Sequence, residues 1–233
     1  FIWLNNLYGS PGAWQDLFHQ VFDRWEELVG TTYVHEPNDD GAPVNSSNDG
    51  VTGIRGDVRI SATTLDGNSG LLAFNFFPNS GGDMVFDAFD SFYQNLSVNS
   101  LRMRNVIAHE HGHGLGMFHV CPVTQSKLME PFISTAFDGP QIDDILNGHR
   151  HYGDPMEPSD VPTDATELGT LSQGGSSSMD RLSIDDGADT DWFVFTLTEE
   201  SSIVFEVAPD AGSYDQGPQT QDCENGSFTN YNR

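Results

Sequence analysis

The segment His109–His119, HEHGHGLGMFH, constrains this chain more than any other feature of its sequence. His109 and His113 stand four apart. On a helix that spacing puts both imidazoles on one face, within reach of a single ion. Zinc takes compact tetrahedral nitrogen ligation, and a catalytic zinc leaves one position to water. Glu110 follows the first of these histidines, where a carboxylate can take a proton from zinc-bound water as it attacks a carbonyl. Gly116 lets the chain leave the helix in a conformation other residues resist, which brings His119 round as a third ligand. The run HGHGLG is a poor helix, because each interior glycine costs about 0.5–1 kcal/mol relative to alanine. Something other than propensity must hold it, and a metal would. His111 is turned away from the other histidines by its spacing and is not expected to ligate.

The flanking sequence predicts the elements that carry this segment. AWQDLFHQVFDRWEELVG (13–30) repeats apolar residues at helical spacing and stops at Gly30. SLRMRNVIAHEHGHG and GPQIDDILNGHRHYG read as two further helices. TTYVHE, GDVRISAT, LLAFNFF and DMVF read as strands separated by Gly/Asn/Asp/Ser loops. This order predicts a twisted sheet backed by helices. A Pro/Gly/Ser/Asp-rich stretch from residue 153 to 175 lacks periodicity, so a boundary is expected near Asp154. The expected organisation is a site-bearing α/β domain over 1–153, a linker over 154–166 and a small all-β domain over 167–233. In the last, DWFVFTL and SIVFEVA alternate as strands. The chain is read as a segment of a longer precursor, with any signal peptide or pro-segment upstream.

Extended to HExxHxxGxxH, the central segment resembles the metzincin signature, and metzincins place a Met-bearing turn beneath the zinc. KLMEP supplies Met129 soon after His119, an interval that resembles the matrixin branch. GDVRIS, DGNSGLLAFNFFP, GGDMVFDAFDSF and QIDDILNGHRHYG resemble successive matrixin segments. The resemblance implies an α+β zincin-like fold with a twisted, mostly parallel five-stranded sheet and three helices. It implies a secreted zinc endopeptidase with zinc on His109, His113 and His119, Glu110 as general base, Met129 as hydrophobic floor, and a peptide extended along the edge strand. It also implies one calcium on Asp66, Asp87 and Asp90 and a second on Asp57 and Asp83, with carbonyls of the 79–82 loop. Phe74 and Val85 stand where the family has histidines for a structural zinc, so only the catalytic zinc is expected. Glu130 stands where the family often has an aromatic, which is expected to alter the pocket beside the zinc. Residues 167–233 resemble the start of a bacterial pre-peptidase C-terminal domain, a small β-sandwich found beside secreted peptidases, here incomplete.

A net charge of -26, from 35 acidic and 9 basic residues, should repel nucleic acid and anionic membranes. No apolar run reaches the ~20 residues of a membrane span. The expected partner is therefore a polypeptide substrate, met by a monomer outside a bacterial cell. Cys121 and Cys223 are too few for a disulfide framework, and a mutual bridge is not favoured. His19, His35, His149 and His151 have the isolated placement of structural or solvated histidines. Two other readings stand beside the peptidase: an inactive metzincin scaffold serving binding or adhesion, and a zinc hydrolase of a non-peptide substrate.

Overall fold

The computed structural model describes residues 1–44, 50–121, 123–208, 213–216 and 229–232. Helix α2 (Pro11–Glu26) forms over most of the span the periodicity predicts, with Pro11 in its first turn, and ends at Glu26 rather than at Gly30. Its stripe of Trp14, Leu17, Phe18, Val21 and Trp25 is buried. A short helix α1 (Ile2–Tyr8) precedes it and buries only Leu4. The chain stays close-packed beyond α2, and the Gly30 amide donates to the Gly153 carbonyl at 2.9 Å. A Cβ at Gly30 would overlap the Tyr152 carbonyl, so this approach requires glycine.

Strands β1 (Ile60–Thr63), β2 (Ala73–Asn75) and β3 (Met84–Asp87) form a sheet ordered β1-β3-β2. β1 runs parallel to β3, and β2 runs antiparallel to it. Among the described residues this sheet has three strands rather than five, and its strands do not all run parallel. TTYVHE forms no ladder there. Its Tyr33 amide donates instead to the Glu26 carboxylate, a side-chain partner in place of a neighbouring strand.

Helix α3 (Ser97–Gly114) opens on a left-handed turn at Val98, Asn99 and Ser100, and runs right-handed beyond it. Arg104 spans that turn, donating to the carbonyls of Val98 and Asn99. Met103, Val106 and Ile107 of α3 join α2 and β3 in one core. Phe18 meets Phe86 edge-on at 6.0 Å. Trp25 is fully buried, and its indole N–H donates to the Ala108 carbonyl at 3.2 Å, one residue before His109. Removing such a side chain typically costs about 3–5 kcal/mol. The core therefore holds the site-bearing helix directly. Helix α4 (Ile142–Tyr152) starts with a reciprocal cap between Gln141 and Asp144.

Beyond Asp154, β4 (Thr166–Leu171) pairs in parallel with β5 (Phe193–Leu197). β6 (Ser213–Gln216) pairs antiparallel with β7 (Thr229–Asn232). SIVFEVA forms no strand among the described residues and leaves Val204, Phe205 and Val207 largely exposed. No helix among the described residues is long and apolar enough to cross a membrane.

Candidate metal centre and active-site cleft

His109, Glu110 and His113 all project from α3. The helix ends there, and Gly116 takes a φ of 93°. The Met117 amide still reaches back to the Gly112 carbonyl at 3.0 Å. This left-handed exit turns the chain so that His119 faces α3, as the glycine requires. The His119 Nε2 then lies 3.2 Å from both His109 Nε2 and His113 Nε2.

That spacing suits a metal. A tetrahedral zinc with Zn–N of about 2.0–2.1 Å sets its nitrogens about 3.3 Å apart. The outer ring nitrogens agree. His109 Nδ1 lies 2.7 Å from the Leu128 carbonyl, and His113 Nδ1 lies 2.7 Å from the Met117 carbonyl. A carbonyl only accepts, so each Nδ1 carries the proton and each Nε2 turns a lone pair toward the centre. Burial, with His113 and His119 nearby, holds His109 well below its ordinary pKa. Burial brings His113 down to about 4. Neutral imidazoles are the form that binds metal. These residues therefore fit a zinc ion.

Glu110 is 6% exposed, and its Oε2 is buried without a hydrogen-bond partner. Burial raises its carboxyl to about 8. His111 faces away from the three ligands, as its spacing predicts. It is buried against Phe22 and Tyr33, and the Tyr33 hydroxyl lies 2.6 Å from its Nε2.

Beneath the histidines lies Met129, fully buried. A Cβ at Gly112 would overlap the Met129 thioether, so the helix must carry glycine where it crosses the Met-bearing turn. The Asp144 carboxylate accepts the amides of Leu128, Met129 and Gln141, which fixes that turn from α4. Glu130 points into the loop before it, away from the cleft. It accepts the amides of Thr124, Gln125, Ser126 and Lys127, and the Lys127 ammonium lies 3.6 Å away. The expected influence of Glu130 on the neighbouring pocket is therefore replaced by a buried role in loop shape. Cys121 is buried and disulfide-bonded. Cys223 lies outside the described residues.

A cleft runs past the histidines, lined among others by Leu72, Ala73, Asn75 and Phe77 on one side and by Pro131 and Phe132 on the other. The Leu72 carbonyl accepts from Asp87, and the Phe76 amide donates to Asp83. In an antiparallel pair the bonding alternates, so Ala73 and Asn75 direct their amides and carbonyls to the open edge. The opposite wall is held by Asn105, which donates to the carbonyls of Ser134 and Phe137 and accepts the Gly139 amide.

The loops expected to hold calcium do meet. Asp87 accepts the amides of Asp66 and Gly67, Asp90 accepts Ser69, and Asp66 accepts Leu71. Asp83 accepts the Arg59 amide and Asp57 the Gly50 amide, on separate partners. Phe74 and Val85 are direct cross-strand partners. Among the described residues, the group of three carboxylates whose oxygens come within 4.8 Å of one another is Asp154, Glu157 and Asp191.

Sequence spacing finds the three histidines and Glu110. It does not find Tyr33, Gly112 or Asn105. Asp144 is visible in it only as a first-turn residue of α4. Residues 10–153 match the family model described as matrixin.

Proposed function

Since that match covers more than half of the chain, the chain belongs to the matrixin metallopeptidases, and we propose that it is a secreted endopeptidase with zinc on His109, His113 and His119 and Glu110 as general base. The convergence of three Nε2 atoms beside a buried, unpartnered carboxylate oxygen carries this reading.

Bound zinc supplies Lewis acidity, polarising the scissile carbonyl and acidifying a water. Glu110 accepts a proton from the attacking water through Oε2, the atom no other group occupies. Its burial raises its basicity, and a carboxyl poised near the working pH is an effective proton acceptor. The same carboxyl can then deliver that proton to the leaving amine. Ala73 and Asn75 offer unpaired backbone groups to an extended peptide, which supports cleavage within chains. Phe77 and Phe132 flank the path with apolar surface.

Calcium remains part of the proposal, on Asp66, Asp87 and Asp90 and on Asp57 and Asp83, with a stabilising role only. A disulfide-bonded Cys121 supports an oxidising, extracellular setting. The net charge supports a monomer that avoids nucleic acid and anionic membranes. The division at 154–166 rests on the Pro/Gly/Ser/Asp-rich composition of that stretch, and the bacterial origin on the resemblance of the tail.

The test is Glu110→Gln in the full chain. Hydrolysis of casein should fall by at least about 100-fold, a typical share for general-base catalysis, with zinc content unchanged. Retained turnover would overturn the mechanism. If the unaltered chain binds zinc yet cleaves no peptide, the binding scaffold or the non-peptide hydrolase replaces this reading.

A further inference from the structure

Two aromatic rings border the cleft beside the metal ligands. Gly116 and the buried Met117 turn the chain out of α3, and Phe118 follows, 39% exposed, immediately before His119. Phe77 lines the cleft just beyond β2. The rings of Phe77 and Phe118 lie 4.7 Å apart, tilted by 39°. Phe77 also meets the His113 ring edge-on at 5.8 Å. Both contacts fall at separations where aromatic rings attract. The backbone under each ring is pinned. The Met117 carbonyl accepts from His113 Nδ1, and the Phe77 carbonyl accepts the amides of Ser80 and Gly82. A Cβ at Gly116 would stand 3.9 Å from the Pro78 ring, so the two loops pack closely. A surface held in this way loses little freedom when a ligand covers it.

Phe77 stands two residues beyond Asn75, the last edge-strand residue of β2. An extended peptide advances about 3.3 Å per residue. One paired with Ala73 and Asn75 therefore carries a side chain over these rings about two residues from the bond held at the metal. Among the described residues that line the cleft, Glu110 is the only acid, and there is no lysine or arginine. Nothing beside the rings offers that side chain an ion pair. We propose that Phe77 and Phe118 form a specificity platform, which selects a large apolar side chain, aromatic above all, about two residues from the scissile bond on the His113 side. The proposal rests on the peptidase reading.

The experiment is a set of peptides with Phe, Leu, Ala or Asp at each of three positions on either side of one scissile bond, cleaved by the full zinc-loaded chain. At one position about two residues from the bond, the unaltered chain should favour Phe over Ala about tenfold in kcat/KM, the low end of what apolar pockets deliver. The gain should lie mainly in KM, because the contact is made before and during reaction alike. This ratio should fall to about twofold or less in Phe118→Ala and in Phe77→Ala. It should survive in Phe118→Tyr, which keeps the ring. Because the readout is a ratio within each variant, a general loss of activity does not imitate it. Zinc content per chain should be unchanged in all three variants. Cleavage with no such preference, or with the same preference in Phe118→Ala, overturns the platform alone. Failure to cleave any member overturns the peptidase reading and the platform with it.

Discussion

The Asp144 carboxylate accepts the Met129 amide at 3.0 Å, so a helix fifteen residues downstream sets the turn beneath the three histidines. The Leu128 carbonyl in that same turn receives His109 Nδ1. A carboxylate outside the cleft thus orients a ring inside it. Asp144→Ala strands the buried amides of Leu128 and Met129 and the part-buried amide of Gln141, and each buried loss costs about 1–3 kcal/mol. The variant should unfold several degrees lower and lose zinc to a chelator faster than the unaltered chain, as calorimetry and timed metal release would show.

The pH dependence of this group has a definite sign. Burial raises Asp144 to about 6, above the ~3.9 of an unfolded aspartate. The native state therefore holds its proton more tightly. The stability it contributes is complete below ~3.9 and is lost as pH rises through about 6. Denaturant titrations between pH 4 and 7 should show this decline in the unaltered chain and its disappearance in Asp144→Asn.

Glu130 should behave oppositely. Burial raises its carboxyl, but the donors from Gln125, Ser126 and Thr124, with Lys127 nearby, hold it below the ordinary range. Its contribution is present above the unfolded value of ~4.3 and is lost as pH falls through the lower native value. Glu130→Gln leaves the Lys127 charge buried and should cost about 3 kcal/mol at pH 7. That deficit should shrink at pH 3.5, as paired unfolding curves would reveal.

Gly112→Ala tests the crossing of helix and turn. The added methyl meets the Met129 thioether, and overpacking of this kind costs about 1–3 kcal/mol. Peptidase activity should fall at least tenfold while circular dichroism shows the helices intact. Undiminished activity would show that the turn gives way freely.

Metal removal should separate two effects. A zinc-selective chelator should abolish cleavage, and readdition of zinc should restore it. A calcium-selective chelator should lower the Tm by linkage, with activity surviving below the new transition. A Tm that does not move would remove calcium from the proposal.

What the sequence reveals here follows from distance along the chain. His109, Glu110, Gly116 and His119 lie within one short segment, so helical spacing and a glycine exit suffice to gather them. The helix stripe of α2 is legible for the same reason. Tyr33 reaches His111 across 78 residues, and Asn105 reaches Phe137 across 32. No local period encodes either contact. Glu130 lies close to the site in sequence, yet neighbouring amides capture its carboxylate and turn it inward. TTYVHE has strand-like composition, but its Tyr33 amide is taken by a side chain. Propensity describes only what a segment does when no better partner is near.

Lys127 is the sole lysine of the chain, and it is 3% exposed beside Glu130. The folded surface therefore presents no lysine amine to solvent. Amine-directed labels and coupling resins should find no side chain to attack, and a protease that cuts after lysine should find its one target inside the fold. Reaction at Lys127 would then report that the loop beside the metal centre had opened.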